Sequence, residues 1–259
     1  MQSMYDKIGK YDQDRINGFK DGFINDFIHS CNIKKGDVVL DAMAGDGNLS
    51  ERILALHPET NLTTTDLSEA QCKIASEKLG NKSTVIRLDL TTQCPFENLF
   101  DIIIIKSGNH EIPLSKQQNL YDNIFKALKP NGRFINLGIL LPQNDLRADL
   151  NTLNEYRSNL AGVPVDIKNR HFLTGTEFYS FLSNSGFTKI TSQENFNYEI
   201  DMNILSEHYF KNDPQKKIIM NGIVTNLFKF REHKLAILKD DWVVKLPGEI
   251  TVSHKPLNQ

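Results

Sequence analysis

Four short strand-like runs in the first half of the chain each end on groups able to hold a polar ligand. The first, Val38 to Leu40, is followed by Asp41-Ala42-Met43-Ala44-Gly45-Asp46-Gly47. Its glycines permit a tight turn and close backbone approach, and a helix starting there would add its N-terminal amides. Asp66 ends the second run, about twenty residues past the turn, where a carboxylate can accept both hydroxyls of a ribose. Asp89, followed by Leu90, ends the third, and Lys106-Ser107-Gly108-Asn109-His110-Glu111 follows the fourth. Histidine titrates near working pH, so His110 suits a base taking a proton from a hydroxyl or an amine. Two of these residues have a plainer use. His110 can simply fix its loop, and Asp41 can simply bond the amides of its own turn. A glycine turn alone carries little weight; joined to two strand-end acids and a polar loop, it specifies a ligand site.

Metal and phosphate chemistry are both poorly served. Cys31, Cys72 and Cys94 lie far apart, with no CxxC pair and no Cys/His metal spacing, so no metal site is expected. They read as free thiols in a reducing compartment. A dinucleotide fold presents GxGxxG to hold a pyrophosphate, but the residue three after Gly47 is Ser50.

The elements that must position these groups alternate. VVLD, LTTTD, TVIRLD, DIIII and RFINLGIL read as strands one to five, separated by helical stretches. Ile102 to Ile105 is apolar on both faces, as a central parallel strand requires. Ser68 and Gln71, Ser115 and Gln118, and Thr174 and Glu177 stand at capping-box spacing ahead of helices. Pro130 and Gly132 are expected to stop the fourth helix. Such units imply an α/β fold with a parallel, doubly wound sheet, and ligands sit beyond the carboxyl ends of its strands. The rhythm breaks over 142–171, which carries one helical stretch from Leu146 to Leu160. It resumes with FTKITSQENFNYEI as strand six, breaks again over 201–240, and closes on EITVSHKP. A single domain over 1–259 is expected, with 1–30 a helical N-terminal cover and the two insertions forming a lid.

The bulk numbers fit. The 259 residues are 39% hydrophobic and 24% charged, enough apolar material for one large core. Thirty basic against 32 acidic residues leave a net charge of -2 with no block of either sign. A basic footprint for nucleic acid or an anionic membrane is absent. The N-terminus MQSMYDKIGKYDQDR has no apolar core for export, and no run is long enough to span a bilayer, so a cytoplasmic enzyme is expected. Oligomeric state is not readable.

These residues carry a resemblance. VVLDAMAGDGNLS resembles the first motif of class I (Rossmann-like) S-adenosylmethionine-dependent methyltransferases, an acid followed by glycines at alternate positions. TTTDLSEAQCKIA, RLDLTTQCPF, FDIIIIKSGNHEIP and LKPNGRFINLG are similar to the motifs that follow. The likeness covers about residues 30 to 140 well, and 172 to 200 and 249 to 256 more loosely. It implies a seven-stranded sheet, S-adenosylmethionine as cofactor, and methyl transfer to oxygen or nitrogen of a small-molecule acceptor. It also implies roles: Asp66 and Leu67 at the ribose, Asp89 and Leu90 at the adenine, and Asp41, Ala42, Met43, Gly45 and Lys106 around the remainder. Tyr11 and Arg15 from the N-terminal segment would meet the cofactor's carboxylate, and Arg170, His171 and Tyr209 are candidates for substrate contact. Met43 departs from the pattern, standing where the family has its first glycine. SGNH after strand four also differs from the Asn/Asp-Pro-Pro-aromatic tetrapeptide of nucleic-acid methyltransferases. Two other readings share the resemblance: a cofactor-binding enzyme with different chemistry, such as cyclisation of the cofactor's own side chain, and a partner subunit without turnover.

Overall fold

The computed structural model describes residues 22–142, 144–161, 170–201, 210, 213–228, 237–238 and 243–257. The chain runs α1 (Phe23–Ser30), β1 (Val38–Ala42), α2 (Asn48–Leu56), β2 (Asn61–Asp66), α3 (Glu69–Leu79), β3 (Ser83–Arg87) and β4 (Phe100–Lys106). It continues through α4 (Leu114–Ala127), β5 (Leu128–Ile139), α5 (Asp145–Ala161), α6 (Gly175–Asn184), β6 (Thr188–Asp201), α7 (Pro214–Phe228), the two-residue β7 (Ile237–Leu238) and β8 (Val243–His254).

Seven strands lie in the order β3-β2-β1-β4-β5-β8-β6, and β7 pairs with β8 off that path. Strands β1 to β5 pair in parallel, and β8 runs antiparallel to both its neighbours. The chain winds outward from β1 through β2 to β3, then returns to lay β4 on the other side of β1. That reversal opens a crevice at the carboxyl ends of β1 and β4.

The period-two rule explains how β4 serves both faces. Ile102 and Ile104 join one core cluster with Phe27, Ile28, Leu49, Ile53 and Ala75 of α1, α2 and α3. Ile103 and Ile105 join the other with Leu120, Tyr121, Ile124, Phe178 and Leu182 of α4 and α6. All four isoleucines are fully buried, each worth roughly 1.5–3 kcal/mol relative to exposure.

Caps hold at two of the three expected places. Ser68 accepts from the Gln71 amide at α3, and Thr174 and Glu177 form a reciprocal box at α6. Helix α4 departs: it begins at Leu114 behind Pro113, with no side-chain cap, and Ser115 falls inside its first turn. Pro113 fixes the entry dihedral without needing a partner, and Gln118 instead reaches Ser185 Oγ at 2.8 Å. This helix ends at Ala127, before Pro130, because Lys129 precedes a proline and is biased to extended backbone.

The last strand is longer than expected, starting at Val243. Pro247 sits one residue beyond the last β5 pair, Ile139 with Gly248, where the strand is no longer central. Gly248 is required there because a Cβ would lie 2.3 Å from Phe196 Cζ. Strands β6 and β8 stay paired five residues further, to Asp201 and Val243, with β7 against Val243 and Val244, so a ribbon projects ~17 Å past the end of β5. Leu146, Leu150 and Leu153 of α5 and Met220 and Val224 of α7 bury in one cluster with Ile139, Leu141, Tyr198, Val244 and Leu246. Among the described residues, no helix is long and apolar enough to cross a membrane.

Candidate functional site

The turn after β1 is built on left-handed backbone. Met43, Gly45 and Gly47 have φ of 58°, 59° and 78°. Gly47 could not carry a side chain easily, since a Cβ would stand 3.1 Å from Ala75 Cβ and 3.2 Å from Leu79 Cδ1. Met43 adopts the conformation a glycine would supply, and its bulk is accommodated by Gly108. A Cβ on Gly108 would lie 3.0 Å from the Met43 sulfur. The missing glycine of the turn is thus matched by a glycine across the crevice.

Asp66 ties this turn to the next helix. Its Oδ2 accepts from the Gly45 amide at 2.8 Å and its Oδ1 from the Ser68 amide at 2.8 Å. A carboxylate can accept about four hydrogen bonds, so holding the turn and meeting ligand hydroxyls are compatible roles. Leu67 beside it is half exposed.

Asp41 is the buried acid of the site, 1% exposed. Its Oδ2 accepts from Ser50 Oγ at 2.6 Å, and hydroxyls continue through Thr64 Oγ1 and Ser83 Oγ at 2.8 Å each. Its Oδ1 is buried with no hydrogen-bond partner among the described residues. Burial pushes the carboxyl up to about 7, against the Ser50 bond and the nearby charge of Lys106, which favour the anion.

Asp89 builds a turn as it leaves the sheet. Its Oδ1 accepts from Thr91 N at 2.9 Å and Thr91 Oγ1 at 2.6 Å, while Lys116 Nζ stands 3.9 Å from Oδ2. Leu90 is buried, and its carbonyl accepts from Asn123 Nδ2 at 2.8 Å.

The loop after β4 is stapled from below. Gln117 of α4, fully buried, donates to the carbonyls of Asn109 and Ile112 at 2.9 Å each, and Asn109 donates to Tyr121 OH at 3.1 Å. His110 is 5% exposed and stacks on Phe172, ring centroids 4.9 Å apart and 3° from parallel. Its Nε2 lies 3.2 Å from Glu111 Oε1, and Glu111 Oε2 lies 3.1 Å from Arg170 Nε. The His171 amide donates to the His110 carbonyl at 3.0 Å.

The structure therefore gathers Asp41, Ala42, Met43, Gly45, Asp66, Leu67, Asp89, Leu90, Lys106 and His110 at the carboxyl ends of β1 to β4. Tyr11, Arg15 and Tyr209 lie outside the described residues. Arg170 is 7% exposed with its Nε 3.1 Å from Glu111 Oε2, and His171 Nε2 stands 3.5 Å from Glu177 Oε1. Burying so strongly charged a group requires a charged partner, and Glu111 supplies one. The Glu111–Arg170 pair and the Phe172 platform were not foreseen, because about sixty residues separate their two segments.

Residues 39–132 match the family model for the methyltransferase domain. A ubiquinone/menaquinone biosynthesis C-methyltransferase of Erwinia tasmaniensis is 30% identical over 122 residues, 45% of this chain and 48% of that protein. The chain thus spans about half the length of the curated relatives it matches. Among solved structures, a putative methyltransferase of Bacillus halodurans superposes with a TM-score of 0.71 at 15% identity, covering 91% of this chain and 99% of that one. The YcgJ protein of Bacillus subtilis does so with 0.71 at 15%, covering 90% and 97%. The domain match places a methyltransferase-like segment over residues 39–132, and the strand order is that of the solved structures this chain resembles.

Proposed function

We propose that this chain transfers a methyl group from S-adenosylmethionine to oxygen or nitrogen of a small-molecule acceptor in the cytoplasm, with His110 taking the acceptor's proton. The observation that carries the reading is Asp66, a strand-end carboxylate bonded to the Gly45 amide across the crevice. The residues present suit this cofactor. Asp41, Asp66 and Asp89 line the crevice with acids, and the Ser50 hydroxyl is spent on Asp41, which disfavours a pyrophosphate and favours a ligand carrying positive charge. The buried, unpartnered Oδ1 of Asp41 supports an ammonium neighbour, and half-exposed Leu67 offers an apolar surface to an adenine.

Bound S-adenosylmethionine supplies an activated methyl group on a sulfonium. The protein's work is then mainly positioning and exclusion of water. Asp66 accepts ribose hydroxyls while keeping the turn closed. Asp41 and Lys106 set the charge balance at the end of β1 and β4. His110, held on Phe172, stands in the loop that leaves the sheet beside β1, where an acceptor's proton must be received.

Asp66→Ala is expected to cost on the order of 2–3 kcal/mol of cofactor affinity through lost charge-assisted hydrogen bonds. Calorimetry giving wild-type affinity in that variant would remove the basis of the assignment. With methyl-labelled donor, product mass should show an acceptor gaining the label and S-adenosylhomocysteine in equal amount. Methylthioadenosine without a methylated acceptor would instead establish cyclisation of the cofactor's side chain.

A further inference from the structure

Ala44 to Gly47, successive residues of the turn after β1, are all held by one neighbouring unit, β2 with α3. The Ala44 amide donates to the Thr65 carbonyl at 2.9 Å, and the Gly45 amide to Asp66 Oδ2 at 2.8 Å. Asp46 Oδ2 accepts from Lys78 Nζ at 2.9 Å, and Gly47 packs against Ala75 and Leu79. Ala75, Lys78 and Leu79 stand three and four residues apart, so one face of α3 carries them all. Lys78 has a second grip, because its Nζ also donates to Asn48 Oδ1 at the first position of α2. The side chain of Lys78 is 19% exposed and that of Asp46 11%, so the pair is largely shielded from water and salt. The opposite end of α3 is tied to the same turn, since Asp66 accepts from both the Gly45 and the Ser68 amides. A helix of eleven residues thus braces the turn from both of its ends.

We propose that Lys78 is a positioning residue for the cofactor: by latching Asp46 and Asn48 it keeps the 43–47 turn in the form that the ligand meets. The proposal rests on the reading of that turn as the cofactor's seat. Met43, Gly45 and Gly47 all have left-handed backbone, and Met43 lacks the freedom of glycine, so the form persists because its surroundings impose it. The charge of Asp46 makes the latch necessary. A loose carboxylate beside the first turn of α2 would fold onto the helix amides, which attract anions. Asp46 Oδ1 already reaches the Asn48 amide at 3.3 Å. With Oδ2 held by Lys78, the carboxylate is fixed and its charge is met. Lys78 acts through Asp46 and Asn48, not by touching the ligand.

S-adenosylhomocysteine, titrated calorimetrically into the full chain, is the probe. Lys78→Met is expected to weaken its binding by roughly 3–30-fold, the range for residues that act on a site without touching the ligand. The titration is run where urea unfolding shows the variant fully folded, so a loss of stability alone leaves the dissociation constant unchanged. Lys78→Arg keeps the charge and offers several donors to the same two oxygens, and should restore most of the affinity. Asp46→Asn should weaken binding as well. The double variant Lys78→Met/Asp46→Asn should bind no more weakly than the weaker single, since both substitutions remove the same latch.

Should Lys78→Met fail to fold because Asp46 is left buried without a counter-charge, the double variant removes both charges together. It should fold and still bind more weakly than the wild type. Wild-type affinity in Lys78→Met or in the double variant overturns the proposal, as do losses that add in the double. Lys78→Arg binding as weakly as Lys78→Met overturns it too. A wild-type chain that binds no S-adenosylhomocysteine overturns the reading of the turn itself, which is a separate result.

Discussion

Asp41 is the residue whose chemistry is most displaced from its ordinary range. A carboxyl 1% exposed, with one hydroxyl partner at 2.6 Å, is held near 7 chiefly by burial. In the free protein it is therefore protonated below that pH. A cation reaching Oδ1 favours the anion, so ligand binding should expel the proton. Cofactor affinity is expected to rise with pH up to about 7 and then level off. Calorimetry near pH 6 in buffers of different ionisation enthalpy should register proton release, and Asp41→Asn should abolish it. A binding enthalpy independent of buffer would sink the idea. Stability has the opposite sign. Between 3.8 and about 7 the folded chain holds a proton that the unfolded chain has released, so stability falls as pH rises through this window. At this scale the strand-end acids were legible because type and spacing alone mark them. What could not be read was pairing across the chain. The fit of Met43 against Gly108 and the grip of Arg170 on Glu111 depend on contacts that no local pattern encodes.

Helices and strands were legible where burial imposes a period, as along β4, whose alternate isoleucines feed two cores. They were misread where one residue answers to a distant partner. The last strand was expected only over EITVSHKP, whereas the missing side chain of Gly248 admits the Phe196 ring and β8 extends back to Val243. Ser115 looked like a cap, but Pro113 already sets the entry to α4. The other end of α4 depends on Lys255, just past β8. Its Nζ donates to Asn98 Oδ1 at 2.9 Å, Phe125 O at 3.0 Å and Leu128 O at 2.9 Å, and lies 4.8 Å from the centre of the Phe125 ring. A cation at a helix C-terminus satisfies carbonyls that have no partner within the helix and complements its dipole. Lys255→Met should therefore cost about 2–4 kcal/mol, by losing charge-assisted bonds and leaving buried acceptors unpaired. The urea midpoint should fall with an unchanged slope. An unchanged midpoint would mean that water serves these carbonyls equally well.

The whole molecule is arranged so that both insertions leave the sheet at the edge that bears the acids. Helix α5 follows the end of β5, and α7 follows the end of β6. The β6–β8 ribbon carries their buried faces beyond that edge, where Leu150 and Val224 meet Leu141 and Leu246 in one cluster. The doubly wound order could be anticipated from alternation. A cover at the carboxyl edge was expected from where the alternation breaks, but the side chains that seat it were not legible, because they lie on strands more than a hundred residues apart. With a net charge of -2 and acids lining the crevice, the molecule offers little to a polyanion, which agrees with a small acceptor enclosed under cover. If segments 142–171 and 201–240 form that cover, ligand binding should stabilise them more than the sheet they rest on. Limited proteolysis is the direct measurement, with fragments assigned by mass spectrometry. Cleavage within the two segments should slow when S-adenosylhomocysteine is saturating, and slow further with acceptor. Cleavage in the turn between α1 and β1, at the opposite ends of the strands, serves as the reference. Equal protection everywhere would indicate only a general gain in stability. Protection confined to the reference would place the insertions away from the ligand and remove the lid from the account of how water is excluded.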